Sequence, residues 1–300
     1  MEARIAEKKR TTNWKALCIG MILLQSVLYG LLDPMSKRAY RQLPVYSFLM
    51  CRYLLATLAL LAFRGRRIVR ELRVAPVKHY IVPCLCMAAA FIFSNAGLQL
   101  TAATNVAFLR SLSALIAPLL LIFYRKPYGI RGALRQLGVL AGLYLLCARG
   151  GLSSFGLGEI CSLVSAALGA GALVFGGEAL HYISPAALSC VQAGLAVVMC
   201  AGMGGITGAL GQTDWTVFAQ PSIALTLVYA ALGCTVAGYL LQNMALRHVS
   251  PRLVGVLQCT YPVMTALTAF VVLDERLSVS GLIGAAVILV CVALESLQKE

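Results

Sequence analysis

Long apolar blocks alternate with short polar or charged joints along the chain. Each block holds roughly 18 to 24 residues, enough for an α-helix to cross about 30 Å of hydrocarbon at about 1.5 Å per residue. Strands of a membrane barrel would be about half as long and would alternate polar and apolar positions. The pattern predicts an all-α integral membrane protein with ten transmembrane helices, at residues 16–37, 44–63, 79–98, 103–124, 133–150, 155–177, 185–208, 222–243, 251–272 and 279–297.

Composition agrees with this class. Hydrophobic residues make up 60% of the 300 residues and charged residues 12%, whereas soluble domains hold about 25% charged residues. The net charge of +14 would indicate nucleic-acid binding in a soluble protein, but here the basic residues lie between apolar blocks. We therefore predict a lipid bilayer as the partner and no nucleic acid. The 11 cysteines lie almost wholly in apolar runs without metal-ligand spacing, so we interpret them as buried hydrophobes and predict no metal or cofactor.

The lysines and arginines predict the orientation. With a short basic cytoplasmic N-terminus, 18 of them fall in inner segments and 5 in outer segments, while Arg52 and Arg110 fall within helices. Cytoplasmic loops carry an excess of these residues, so we predict both termini in the cytoplasm of a multi-pass protein, in the plasma (inner) membrane of a bacterium. The first apolar block is too long for a removable signal peptide and lacks its cleavage site, so we interpret it as a membrane span.

The chain also repeats itself weakly. The segment NAGLQLTAATNVAFLRSL begins at Asn95, and NMALRHVSPRLVGVLQCT begins at Asn243; both have a Leu three residues after the Asn and a polar break before the next helix. The match predicts one transporter unit made of two five-helix halves, at residues 1–150 and 151–300. An odd number of helices per half inverts the second half in the membrane, which is typical of secondary transporters with a substrate site near the midplane.

Several segments together carry a family resemblance: LYGLLDPMSK, MCRYLLATLALL, the Tyr261-Pro262 pair and the acidic pair Asp274-Glu275 before the last helix. Over nearly its whole length the chain resembles the EamA-like branch of the drug/metabolite transporter superfamily. The resemblance implies ten helices in two inverted repeats, a central cavity, and export or exchange of small organic metabolites. The chain departs from the family pattern at Lys126, where an acidic residue is frequent, at Tyr29 and at Arg110.

Three charged residues fall at one depth in the predicted membrane. Arg52 and Arg110 each lie about seven residues into helices that run inward, so both start roughly 10 Å below the outer boundary. Asp33, on a helix that runs outward, reaches a similar depth and should face the protein interior or water. One carboxylate cannot neutralise two arginines. Either the cluster is purely structural, with Asp33 paired to one arginine, or the remaining positive charge binds an anionic group of the substrate.

Other polar positions extend this candidate site along inward-facing stripes. Gln258 aligns with Arg110 at an offset of 148, the same offset that relates Asn95 to Asn243. For the two asparagines we favour hydrogen bonds between helices, because both repeats carry them. The predicted substrate-binding residues are Tyr29, Asp33, Arg52, Asn95, Arg110, Ser113, Tyr239, Gln242, Gln258 and Tyr261.

The sequence thus predicts a transporter that works by alternating access on small organic metabolites, with amino acids or related carboxylate compounds as the first substrate class. One alternative is an exporter of cationic or lipophilic drugs bound by Asp33 and the tyrosines, and another is a passive channel. The sequence holds no phosphate loop, HExxH motif or nucleophile elbow, so we predict no enzyme activity. Gly138 and Gly142 allow close helix packing within a monomer or in a homodimer.

Overall fold

A computed structural model describes residues 2–123, 130–147, 156–273 and 279–296. Within these ranges the regular structure is helical, with no strand. The α-helices are α1 (Glu2–Ala39), α2 (Val45–Val74), α3 (Ile81–Leu100), α4 (Ala103–Ser111), α5 (Ser113–Phe123), α6 (Ile130–Cys147), α7 (Leu157–Ala179), α8 (Pro185–Ile206), α9 (Pro221–Val228), α10 (Gly238–Leu246), α11 (Pro251–Gln258), α12 (Tyr261–Leu273) and α13 (Val279–Ser296).

Seven segments of the described chain are long and apolar enough to cross a membrane: Trp14–Ala39, Val45–Val74, Ile81–Leu100, Ala103–Leu120, Leu157–Ala179, Pro185–Ile206 and Pro221–Leu246. The segment Val279–Leu294 is apolar but shorter. These segments make the chain a multi-pass membrane protein, as the apolar blocks predict. The count of ten membrane crossings stays a prediction.

Helix α2 is longer than the apolar pattern predicts. The pattern places its end at residue 63, but the helix continues to Val74 through a kink at Arg64 (φ −139°, ψ 16°). The continuation is held in place because Ile68 is buried and Glu71 accepts hydrogen bonds from Arg67 Nε (2.8 Å) and from the backbone N–H of Ser184 (3.1 Å). Hydropathy marks where the apolar run ends, whereas an arginine-rich segment can continue the helix outside the membrane.

Two helices that the sequence predicts as continuous are each divided by a tight turn. The first is divided between α4 and α5, where the N–H of Leu112 donates to the carbonyl of Leu109. The second is divided between α11 and α12, where the N–H of Thr260 donates to the carbonyl of Leu257. These bonds span three residues, as in a 3₁₀-helix, a form that often marks a hinge when it interrupts an α-helix. Both breaks lie 148 residues apart, at the offset of the sequence repeat.

The two breaks touch each other. The Sγ of Cys259 lies 4.0 Å from the carbonyl oxygen of Ser111 and 3.5 Å from that of Gly255 in its own helix, so the approach to Ser111 is a packing contact. Cys259 and Ser111 are themselves related by the repeat offset of 148. The two divided helices therefore cross at equivalent points.

Glycines allow the closest helix contacts. A methyl group at Gly97 of α3 would lie 2.8 Å from the carbonyl oxygen of Gly158 of α7, and one at Gly142 of α6 would lie 2.9 Å from that of Gly284 of α13. A methyl group at Gly30 of α1 would lie 2.4 Å from the Cβ of Met264 in α12. The small residues predicted on α6 are therefore used in packing within one chain.

Candidate functional site

A cavity of about 70 Å³ lies where the divided helices meet α1, α3, α7 and α10. A single water needs about 10 to 15 Å³ of such space, so the cavity has room for several waters or a small polar group. Its wall combines apolar residues of α3 and α7 with many polar side chains. The polar lining residues are Gln25, Ser26, Tyr29, Arg110, Ser111, Ser113, Ser165, Gln242, Gln258 and Tyr261.

Six of the ten predicted substrate-binding residues line this cavity: Tyr29, Arg110, Ser113, Gln242, Gln258 and Tyr261. They come from α1, α4, α5, α10, α11 and α12, so both sequence repeats contribute. Asp33, Arg52, Asn95 and Tyr239 lie outside the lining.

Arg110 lies in the last turn of α4, directly before the helix break. Its Nη1 donates to the hydroxyl of Tyr261 at 3.4 Å, and its Cζ lies 4.9 Å from the ring centres of both Phe91 and Tyr261. Two aromatic faces at this distance stabilise a cation. A guanidinium has five N–H donors, and the bond to Tyr261 uses one donor group of this lining residue.

Asp33 is connected to Arg110 through Tyr261 rather than directly. The Tyr261 hydroxyl donates a hydrogen bond to Asp33 Oδ2, while the same hydroxyl accepts from Arg110. Among the described residues, Asp33 forms no ion pair with Arg110 or Arg52. Within the described chain, a tyrosine from the opposite repeat connects Asp33 to Arg110 in place of the direct pair of the structural alternative. A structural role of the cluster and the binding of an anionic group both stay predictions.

Arg52 is buried away from the cavity, with 1% of its surface exposed. Its Nε donates to Thr235 Oγ1 at 2.8 Å, and its Cζ lies 5.1 Å from the ring of Tyr53 and 5.9 Å from that of Phe91. Thr235 belongs to a π-helical segment, Tyr229–Ala237, between α9 and α10. The wider turn lets the Thr235 hydroxyl donate to the carbonyl of Ala230, five residues back, and still accept from Arg52.

Asn95 and Tyr239 have packing contacts. Asn95 Oδ1 accepts from the Tyr40 hydroxyl at 2.6 Å, and its Nδ2 donates to the carbonyl of Phe91 at 2.8 Å. The ring of Tyr239 is buried with its centre 5.6 Å from that of Phe91. In the second repeat, Asn243 Nδ2 donates to Ser189 and Gln192 of a neighbouring helix. Hydrogen bonds between helices are the role that the sequence favours for the two asparagines.

Gln25 is a cavity residue that the sequence reasoning missed. Its amide hydrogen-bonds to Gln242 at 2.9 Å and to Gln258 at 3.0 Å, so three glutamines from three helices meet on one wall. A signal is present in the sequence, because Gln25 precedes Tyr29 by four residues and continues the polar stripe of α1. Three residues used in the family comparison, Lys126, Asp274 and Glu275, lie outside the described residues.

A family model described as the EamA-like transporter family matches two stretches of the chain, residues 16–148 and 156–297. The chain belongs to the EamA-like transporter family. Membership shows that it is a membrane transporter with a two-repeat architecture, as the resemblance implies.

Solved structures support the fold of this family member. One protein of known crystal structure superposes with a TM-score of 0.74 at 19% sequence identity, and the match covers 94% of this chain and 96% of that chain. At this identity the likeness shows the fold alone. No curated protein matches the sequence.

Proposed function

We propose that this EamA-like protein is a secondary-type transporter of small organic metabolites, working by alternating access between inverted five-helix halves, residues 1–150 and 151–300. Three observations support this mechanism. The family match is repeated in the two halves, the two divided helices are interrupted at equivalent positions, and the cavity is lined by residues of both repeats. Interrupted helices around a central site are a common construction in secondary transporters.

The proposed cargo is an amino acid or a related carboxylate compound, exported or exchanged. The observation that carries this proposal is the position of Arg110 on the cavity wall, with the neutral hydroxyl of Tyr261 as its hydrogen-bond partner and no ion-paired carboxylate among the described residues. A guanidinium fork matches a carboxylate in two parallel hydrogen bonds. The Ser111 and Ser113 hydroxyls on the same wall can accept from the ammonium group of a zwitterion.

A cationic cargo fits this wall less well. The carboxylate that would attract it, Asp33, is buried and bonded to Tyr261, whereas the charged side chain on the described lining is Arg110. A cation in the cavity would face like charge. We therefore propose a carboxylate compound and use cationic drugs as a comparison in the test.

The proposed orientation places both termini in the cytoplasm of a bacterial inner membrane. Its support is the excess of lysine and arginine in the inner segments, including the arginines that follow the kink in α2. Two reporters fused separately to the C-terminus test the orientation. We expect signal from a reporter that is active only in the cytoplasm, whereas signal from one that is active only in the periplasm would contradict the orientation.

The substrate proposal is tested with purified protein in detergent and in proteoliposomes. Thermal unfolding is measured with each proteinogenic L-amino acid, with organic acids, nucleosides and cationic drugs. The ligand that stabilises most is then compared with its own methyl ester, which removes the negative charge with little change in size. We expect stabilisation by the free carboxylate and little by the ester, because the ester cannot form the charged pair with Arg110.

Variants and flux measurements complete the test. Arg110→Gln should weaken binding of the carboxylate about tenfold or more, since hydrogen bonds to charged groups contribute about 1.5 to 3 kcal/mol, and Arg110→Lys should retain part of it. If unlabelled ligand on one side of the vesicle membrane accelerates the flux of labelled ligand from the other side, alternating access is supported. A flux that does not saturate with ligand concentration indicates a channel. Stabilisation by anions that is unchanged in both Arg110→Gln and Arg52→Gln contradicts the proposed role of the arginines.

A further inference from the structure

Three glutamines form a closed hydrogen-bonded cluster on the cavity wall. Gln25 comes from α1, Gln242 from α10 and Gln258 from α11, and all three line the cavity. Gln258 Nε2 donates to Gln25 Oε1 at 3.0 Å and to Gln242 Oε1 at 2.9 Å. Gln25 Nε2 donates to Gln242 Oε1 at 2.9 Å and to the backbone carbonyl of Gly238 at 3.1 Å. We name these residues the glutamine cluster.

A backbone carbonyl fixes which way each amide points. The oxygen of Gly238 can only accept, so the amide nitrogen of Gln25 must face it. The Gln25 oxygen is then an acceptor, so Gln258 must present its nitrogen. Gln242 in turn must present its oxygen, because both neighbours donate to it. The oxygen and nitrogen of each side chain are thus set by one unambiguous acceptor.

This arrangement leaves one donor group and one acceptor group unused. The amide nitrogen of Gln242 and the amide oxygen of Gln258 have no hydrogen-bond partner among the described residues. Both atoms are accessible to water. Both side chains belong to the cavity lining, where a ligand could reach these two groups. The unused donor and the unused acceptor belong to two side chains that are joined by a hydrogen bond, and a donor with an acceptor complements a primary amide, which has both.

We infer that the glutamine cluster is a specificity site for a neutral donor–acceptor group, such as a primary amide, on a substrate whose carboxylate contacts Arg110. The inference rests on the proposed function for the carboxylate end. An apolar group at the cluster would leave the nitrogen of Gln242 and the oxygen of Gln258 unpaired. Binding of such a group is therefore strongly disfavoured. An acidic group would place a negative oxygen against the carbonyl of Gln258.

L-asparagine, L-leucine and L-aspartate are matched probes because their side chains have nearly the same shape. Binding of each is measured by thermal stabilisation of the full-length protein, and uptake by exchange in proteoliposomes. We expect asparagine to bind at least about tenfold more tightly than leucine and than aspartate. In Gln258→Leu the asparagine-to-leucine ratio should fall toward unity, whereas in Arg110→Gln both ligands should weaken together.

The ratio is measured within one protein sample, so partial loss of folded protein leaves it unchanged. Gln192→Leu is the matched control, since Gln192 is buried, bonded to Asn243 and outside the cavity lining. Its ratio should equal that of the wild type.

The outcomes separate the two proposals. Equal binding of asparagine and leucine, with both lost in Arg110→Gln, overturns the specificity site and leaves the carboxylate site standing. No response to asparagine also overturns the specificity site. Asparagine binding that is insensitive to Arg110→Gln but lost in Gln258→Leu contradicts the proposed carboxylate site and supports the cluster as an amide site.

Discussion

The hydroxyl of Tyr261 donates a hydrogen bond to the buried carboxylate of Asp33 and links it to Arg110, whose Nη1 lies 3.4 Å from the same oxygen. The two charges come from the first repeat and the tyrosine from the second. A neutral group therefore holds the carboxylate, and Arg110 lines the cavity without an ion pair among the described residues.

Tyr261→Phe removes this link while keeping the ring that faces Arg110. We expect a loss of stability of about 1 to 3 kcal/mol, because a buried carboxylate loses its hydrogen-bond donor. Thermal unfolding in detergent measures the loss. Adding Asp33→Asn should recover part of it, since an unpaired amide costs less to bury than an unpaired charge. Tyr182→Phe, at an exposed tyrosine, is the control, and an equal loss there would contradict the linking role.

Thr235→Val removes the hydroxyl that accepts from Arg52 Nε without changing the side-chain volume much. A hydrogen bond to a buried guanidinium is lost, so we expect the stability to fall by about 1.5 to 3 kcal/mol. Thr226→Val is the matched control, because within the described chain the Thr226 hydroxyl bonds only to the carbonyl of Ser222 in its own helix. If the two variants unfold at the same temperature, the hydroxyl of Thr235 does not hold Arg52.

Gly30→Ala tests the contact between α1 and α12. The added methyl group would lie 2.4 Å from the Cβ of Met264 and 2.8 Å from its carbonyl carbon, so the two helices must separate. We expect a loss of about 1 to 3 kcal/mol, the usual cost of overpacking, measured by thermal unfolding. Gly20→Ala in the same helix meets no atom of the described residues within 4 Å and should leave the unfolding temperature nearly unchanged. Equal behaviour of the two variants would argue against the tight contact.

Asn243→Leu tests the helix interface of the second repeat. Its Nδ2 donates to Ser189 Oγ at 2.9 Å and to Gln192 Oε1 at 3.0 Å, and leucine leaves both acceptors buried without this donor. We expect a loss of about 1 to 3 kcal/mol, read from thermal unfolding. Asn105→Leu makes the same change at a partly exposed residue whose amide bond to Thr101 is longer, 3.4 Å, and it should cost clearly less.

Sequence reasoning finds much of the cavity wall because a polar group in an apolar run must avoid lipid. This rule places Arg110, Gln258 and Tyr261 on the inner side, where the cavity lies. The rule does not distinguish a cavity from a packed interior, and for that reason it also assigns Arg52 and Asn95 to the site. Depth along a helix axis gives the level of Arg52 but not the direction of its side chain.

Other features leave no mark on hydropathy. A 3₁₀ turn at Leu112 divides the α-helix without interrupting the apolar run, so hydropathy predicts both divided helices as continuous. The extension of α2 past residue 63 depends on Ile68 and Glu71 contacting other segments, which a local pattern does not contain. The glutamine cluster joins α1 to residues more than 200 positions away, and only the packing of α1 against α10 and α11 brings them together.

Under the proposed mechanism, the contact between Ser111 and Cys259 would be a pivot that the two halves share. Each residue belongs to the interruption of its own divided helix, and Ser111 also lines the cavity. A rotation of α4 or of α11 would move one of the two atoms in this contact, the carbonyl oxygen of Ser111 or the Sγ of Cys259, relative to the other. A ligand at Arg110 would thus act on both halves at one point, and the chain would need no separate element to transmit motion from one half to the other.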